Sequence, residues 1–440
     1  MAKSLESLDS LAQASGFSAE LVDRIARAHD EPDWLVEQRR EAFRAFRDLP
    51  LPSWRHTDVS DLQLDRIRPV APTAALPAWA ERSIPPAGEA AAIAVQVDSR
   101  VEVRHLDPAL AERGLIVTDL HTAARQHPDL VRKYYLQSGL RYDGDRFAAL
   151  HAAFWTGGFF VYVPRGLVVE KPLYLITLIT GGAAGASVSG HGLVVLDEQA
   201  EVTLFDESDA RDMAEAALYT GNLEIHVEPA ARLNYVSVQN WRAPVREFSQ
   251  KFARVRRDGY LLATTGFFGG EQARNVFTTR LVEPGAGTQN ILAYAASGRQ
   301  HFDLVTNTIH ASPSTLGDMT ARGILTGASR LVYQGLIRID RGAHKSEDYL
   351  NSNTLILSPE AKVLDDIPSL EIEADDVKAS HGATVGQIDQ EQLFYLRSRG
   401  LSEREARRLL VSGFFEPLLG RIPNEEARDR IAGLVLEKVV

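Results

Sequence analysis

From Gly157 to about Val385 the chain alternates β-rich runs with tight turns, and no other feature narrows its fold as much. The runs are FFVYVP, LYLITLIT, GLVVLD, AEVTLFD, LEIHVE, RLNYVSVQ, TLILS and LEIEA. Between them recur turns with a small residue just after a proline or a charged residue. These are Asp197–Ala200, Glu228–Ala230, Arg257–Gly259, Glu283–Gly285, Ser312–Ser314, Asp340–Gly342 and Ser358–Ala361. Their spacing of about 18 to 31 residues lies within the range of solenoid repeats. In such a stack one coil cannot bury its own apolar face, and its neighbours bury it instead. A pair of β-sandwiches would give similar turn spacing. The strands are too numerous for one sandwich, which favours the solenoid.

The flanks read as helical. Residues 1–155 form a mostly helical region with a linker inside it. Ser18 is placed to cap AELVDRIARA, and Pro32 to open a helix carrying Trp34, Leu35, Ala42, Phe43 and Phe46. The stretch Leu51–Pro86 holds six prolines and little periodicity. Pro108–Arg113, Asp119–Gln126, Pro128–Gln137 and Asp145–Phe154 predict short helices. Residues 156–388 form the β core, and 389–440 a C-terminal helical module. In that module Asp389 caps QEQLFYLRSR, which Gly400 ends. Ser402 and Glu405 make a capping box for EREARRLLVS, predicted to stop at Gly413, and Asn424 caps the last helix.

Composition then removes whole classes of chemistry. There is no cysteine among the 440 residues, so the chain has no disulfide, no thiolate zinc site and no cysteine nucleophile. Alone, it cannot hold a thiolate-ligated iron–sulfur cluster. A net charge of −11 opposes binding to nucleic acid. The start, MAKSLESLDSLAQASG, lacks the apolar core of a secretory signal, and no apolar run is long enough to span a membrane. The expectation is a soluble, cytosolic protein. No phosphate loop, nucleophile elbow or zinc-protease helix appears, and the glycine-rich GGAAG and FFGGE read as turns between coils.

Among the twelve histidines, His301 and Asp303 share a face of one β run. They read as a hydrogen-bonded pair in preference to metal ligands. His344, in GAHKSED, reads as solvated. His381 sits in Lys378-Ala-Ser-His-Gly-Ala-Thr-Val-Gly386, a small-residue stretch at the end of the β body, where an imidazole is accessible to a partner or a metal. On residues alone, the structural role takes precedence. Arg404, Arg407 and Arg408 are predicted on one side of their helix with Leu409 and Leu410 on another. That face is solvated by default, or else docks an acidic partner. Phe414 and Phe415 are either core anchors or an exposed apolar contact.

The stretch SLEIEADDVKASHGATVGQIDQEQLFYLRSRGLSEREARRLL (Ser369–Leu410) resembles the signature region of the SufB/SufD family, the non-ATPase subunits of the SUF iron–sulfur cluster assembly system. Trp54-Arg55-His56-Thr57-Asp58 resembles the family's W-[RK]-x-T motif. His301–Leu325 and Leu350–Ile372 continue the likeness, and the order of motifs is that of the SufD-type members. The resemblance covers the β region and C-terminal module closely and the N-terminal helices loosely.

The resemblance implies a right-handed parallel β-helix flanked by helical regions. It implies a scaffold subunit, itself no enzyme, that pairs with a SufB-like subunit through the β-helices and docks a SufC-like ABC ATPase on the C-terminal module. Arg404, Arg407, Arg408, Phe414 and Phe415 become candidate docking residues. His381 matches the histidine of a family motif commonly read C-S-H-G-A, here A-S-H-G-A with Ala379 in place of the cysteine. It becomes a candidate ligand for iron or a transient cluster shared with the partner chain, whose thiolates and sulfur the partner must supply. No cofactor is expected on the chain alone. Two rival readings are a β-helix carbohydrate-active enzyme and a structural β-helix whose edge coils pair into a homodimer.

Overall fold

The structure, a computed structural model, describes residues 10–14, 16–72, 74–81 and 84–439. Most of the segment examined for a secretory signal, residues 1–9 and 15, lies outside the described residues. Three strands precede the compositional change at Gly157: β1 (Ala92–Val97), β2 (Arg100–Leu106) and β3 (Ile116–Asp119). Sixteen follow it. Strands β4 (Phe159–Val163), β6 (Ser187–Leu196), β8 (Ala217–Val227), β10 (Val245–Val255), β12 (Gln272–Leu281), β14 (His301–His310), β16 (Arg330–Ile339) and β18 (Lys362–Ile372) join β3 in one sheet. Strands β5 (Leu173–Ile179), β7 (Glu201–Ala210), β9 (Arg232–Trp241), β11 (Tyr260–Phe267), β13 (Gly287–Ala296), β15 (Leu316–Leu325), β17 (Glu347–Ile356) and β19 (Lys378–Gln387) join β1 and β2 in the other. Each strand from β4 to β17 pairs in parallel with the strand two later in the chain. The result is a parallel β-solenoid of about eight coils.

In-register parallel pairing stacks like positions into rows. Val194, Ile225, Ala253, Thr279, Thr308 and Ile337 are consecutive in register across six strands, and every one is fully buried. One corner of each coil is built the same way. Gln199, Ala230, Asp258, Gly285, Ser314, Lys345 and Asp376 all adopt positive φ, 27 to 31 residues apart. The N–H of each of the first six donates to a carbonyl of the next coil's corner, from Gln199 to Pro229 (2.9 Å) through to Lys345 to Asp376 (2.7 Å). The wider spread of turn spacing read from the sequence arises because Ser358–Ala361 belongs to the opposite corner.

The region before Gly157 is less helical than expected. The Ala92–Val97 run, AIAVQV, is buried throughout and pairs in parallel with β5, so it opens the ten-stranded sheet. A short, fully apolar run of this kind has no periodicity to separate helix from strand. The helices α1 (Ala19–His29), α2 (Asp33–Asp48), α3 (Ala78–Glu81), α4 (Pro108–Glu112), α5 (Leu120–Gln126), α6 (Pro128–Tyr134) and α7 (Arg146–Phe154) match the predicted segments except for α3, a single turn inside the stretch read as an irregular linker. Ser18 and Asp145 cap α1 and α7 with side-chain hydrogen bonds. Helices α1, α2 and α7 pack with Leu218 and Phe248 on the nine-stranded sheet.

The C-terminal module comprises α8 (Gln390–Ser398), α9 (Glu403–Leu419) and α10 (Glu425–Glu437). It lies on the outer face of the ten-stranded sheet, where Val411, Phe415, Leu418, Ile431 and Val435 cluster with Tyr174, Phe205, Val236 and Ile291. Asp389, the Ser402–Glu405 box and Asn424 cap as predicted. Gly413 does not end α9, which continues through Pro417 to Leu419. The unfavourable Gly and Pro terms, about 1 and 3 kcal/mol for helix interiors, are outweighed by burial of Phe415, Leu418 and Leu419.

Candidate functional site

The solenoid has an open end. β18 pairs only with β16 and β19 only with β17, so each leaves one edge unpaired over ten or eleven residues. The α8–α9 seam runs beside this end instead of over it, with Ile388, Leu393 and Ala406 against Leu355 and Leu357. Long unpaired edges template strand addition. Residues that face the lumen elsewhere are uncovered here: Ile372 and Val385 are 43% and 45% exposed.

His381 belongs to this end. It is in register with Leu350, and Leu350 with Met319, and both of those are buried between the two sheets. The imidazole therefore occupies the lumen-facing row of β19, and it is exposed because no further coil covers it. Ala379 precedes it in the same row, over Asp348. Across the mouth, Asp366 of β18 accepts a 3.1 Å hydrogen bond from Ser352, and burial pushes its carboxyl above the usual range. Among the described residues, no three His, Asp or Glu side chains converge as a metal would require.

The predicted docking residues separate in the structure. Arg404 is exposed. Arg407 bonds Glu403 at 2.9 Å and the Leu357 carbonyl at 3.2 Å, tying α9 to the solenoid. Arg408 donates to the Leu436 carbonyl at 3.0 Å, tying α9 to α10. The three guanidinium groups thus do not form one solvated face. Phe415 is 1% exposed and is a core anchor, so it offers a partner nothing while α9 stays seated. Phe414 is half-buried under Arg322, whose guanidinium lies 5.2 Å from the ring and donates to the Phe414 carbonyl. The apolar surface the module does present is Phe394, Tyr395 and Leu409, exposed by 74%, 54% and 53%. Sequence reasoning passed over the first two. The signal was the adjacent pair of aromatics on α8, directly after the helix's sole buried residue, Leu393, and so turned away from the face that Leu393 buries.

The His301–Asp303 pair is real but indirect. The Thr57 hydroxyl lies 2.9 Å from His301 Nε2 and 2.6 Å from Asp303 Oδ2, and Arg274 also donates to Asp303. His344 is exposed, with Nδ1 2.7 Å from the Asp375 carbonyl. A further polar cluster was not foreseen. Inside the solenoid Lys251 Nζ bonds Asp206 (3.2 Å), Tyr235 (2.6 Å) and Ser237 (2.6 Å), while Trp241 and Gln239 donate to Glu247 at 2.7 and 2.9 Å. Asp206, Ser237, Gln239, Glu247 and Lys251 border a cavity of about 50 Å³, room for a few waters. Its signal was the presence of polar residues at inward positions of the β runs.

Fold and site together define a parallel β-solenoid protein: a stack of coils open at one end, with a helical module on one face. A family model described as the SUF system FeS cluster assembly, SufBD core domain, matches residues 178–414, and one described as the SufBD protein N-terminal region matches residues 90–175. A SufBD family iron–sulfur cluster assembly protein of Staphylococcus epidermidis (strain ATCC 12228 / FDA PCI 1200) is 30% identical, covering 94% of this chain and 91% of its own length. The iron–sulfur cluster assembly protein SufD of Bacillus subtilis (strain 168) is 28% identical, covering 96% and 97%. The chain belongs to the SufBD family of iron–sulfur cluster assembly proteins, and it is SufD-like by homology. Among the described residues no helix is long and apolar enough to cross a membrane.

Proposed function

We propose that this chain is a non-catalytic scaffold subunit that pairs, end to end, with the β-solenoid of a SufB-like subunit and carries a SufC-like ATPase on its C-terminal module. The observation that carries this reading is the uncapped end. Two unpaired edges of ten and eleven residues, lined by exposed Ile372 and Val385, are a liability in a monomer and a template for a partner's coil.

In this reading the cluster is cargo assembled at the junction. His381 supplies a neutral imidazole from the lumen mouth, and the partner supplies the thiolates, since this chain has none. A ligating imidazole needs an orienting partner on its second nitrogen. No hydrogen bond to the His381 ring is made among the described residues, so that partner would come from across the junction. On the module, Arg404 with Phe394, Tyr395 and Leu409 forms the surface offered to the ATPase.

Co-expression of the full chain with SufB-like and SufC-like subunits, followed by affinity capture, tests the assignment. A stoichiometric complex is expected. Capture of neither subunit would sink the proposal.

A further inference from the structure

The last coil of the solenoid is charged in a way the two coils before it are not. Residues 299–329 hold two arginines and two aspartates, and residues 330–361 hold four basic and four acidic side chains, so both stretches are neutral. Residues 362–391 form β18, the final corner, β19 and the start of α8. They hold two lysines against eight carboxylates, a net −6 out of −11 for the whole chain. Of the two lysines, Lys378 is taken by Glu347 at 2.7 Å. Arg55 and His56 lie beside Asp365, at 3.9 and 3.2 Å. Glu371, Glu373 and Asp375 are exposed, and among the described residues none has a cation within ion-pair distance. Arg338, whose field reaches Glu371 and Glu373, is itself bonded to Asp340 at 2.7 Å.

We propose that this acidic coil selects the occupant of the open end: it disfavours a second copy of this chain and favours a β-solenoid whose end coil is basic. The inference rests on the end-to-end pairing proposed above. A two-fold contact between identical copies sets the same coil against itself, so every unpaired carboxylate meets its like. Across a sheet edge those charges come within a Debye length, about 10 Å at 0.1 M salt, and repel. A basic end coil converts the same charges into steering and register. The apolar lumen residues supply adhesion for either occupant, and the charge decides between them.

Sedimentation velocity on the full chain tests this from roughly 50 mM to 1 M sodium chloride, where screening shortens from beyond 10 Å to about 3 Å. The wild-type chain is measured alone and mixed with a variant carrying Glu371→Lys, Glu373→Lys and Asp375→Lys. Circular dichroism confirms that the variant is folded, and a Gln/Gln/Asn version serves as the neutral control. Wild-type self-association is expected to be weak at low salt and to tighten at least about tenfold toward 1 M as the repulsion is screened. The mixture is expected to associate at low salt and loosen as salt rises. A wild-type dimer equally tight at low and high salt would overturn the charge selection and leave end-to-end pairing standing. No association in any mixture or salt would overturn both. Thr384→Pro and Val385→Pro locate the contact, because neighbouring residues point their N–H groups to opposite edges and one of the two removes a donor from the free edge. Association that survives both lies elsewhere and overturns both readings.

Discussion

Thr57 and Asp303, 246 residues apart in the chain, are joined by a 2.6 Å hydrogen bond in which the threonine hydroxyl donates to a carboxylate that is almost fully buried. That hydroxyl has one proton, so His301 Nε2, 2.9 Å away, must carry the hydrogen of the second contact. Trp54, three residues earlier, packs against the stacked pair Phe147 and Phe248, and Arg274 lies 4.4 Å from its ring. The proline-rich segment is thereby strapped to the nine-stranded sheet.

Replacing Thr57 by Val leaves Asp303 one donor short at a site where its Oδ1 already has no partner. Loss of about 1–3 kcal/mol is expected from a buried acceptor left unsatisfied. Thr57→Ser should retain most of it. Urea unfolding gives the magnitude, and faster amide exchange across residues 54–62 locates it. A Val variant as stable as wild type would show that the strap is held by Trp54 alone.

The C-terminal module should seat more firmly in mild acid. Glu207 is buried on β7, beside Arg430 of α10 at 2.5 Å, with Glu426, Asp206 and Asp209 also acting on it. Burial outweighs the arginine and pushes its carboxyl up to about 7. Between its unfolded value near 4.5 and about 7, the unfolded chain releases the proton and the folded chain keeps it. The contribution to stability is therefore present below about 4.5 and is lost as pH rises through 7. Glu207→Gln should remove this slope, which spans at most roughly 3 kcal/mol. Parallel stability–pH curves for the two proteins would refute it.

Two phenylalanines on the same module should behave oppositely. Phe415→Ala should cost about 3–5 kcal/mol by opening a cavity against the ten-stranded sheet. Phe394→Ala should leave stability within about 0.5 kcal/mol, since its ring is in solvent. The surface variants Phe394→Ala and Arg404→Glu should instead weaken ATPase capture, read as a rise in Kd by calorimetry. Undiminished binding by both would move the docking surface elsewhere.

His381→Ala should fold and pair normally, because the imidazole makes no hydrogen bond among the described residues and lies at an open mouth. Cluster yield on the reconstituted complex should fall. Unchanged yield from an intact complex would strike His381 from the ligand set.

The helix caps were legible because they are local. Ser18, Asp145, Asp389, Ser402 with Glu405, and Asn424 each bond a backbone N–H within three residues. The solenoid was legible because every coil repeats the same problem, an αL corner and two strands. The end of α9 was not legible, since Gly413 and Pro417 argue locally for a stop and only burial against the ten-stranded sheet, where α9 meets β15, overrides them. The arginine stripe failed for the same reason: helical spacing orders Arg404, Arg407 and Arg408 around an axis but does not say where neighbouring carbonyls lie. The polar lumen was hidden because an inward polar residue reads like an outward one until register is known.

By itself, then, the sequence determined that the chain is a stack of β coils between helical flanks, with histidine but no thiol to offer. Periodicity, capping and residue type carry that information within a few tens of residues. Only the tertiary structure decided that His381 faces the lumen mouth, that Phe415 is interior while Phe394 is not, and that the acidic coil is the exposed one. Those facts depend on which strand has no neighbour and which helix face is covered. Both are set by contacts between residues far apart in the chain.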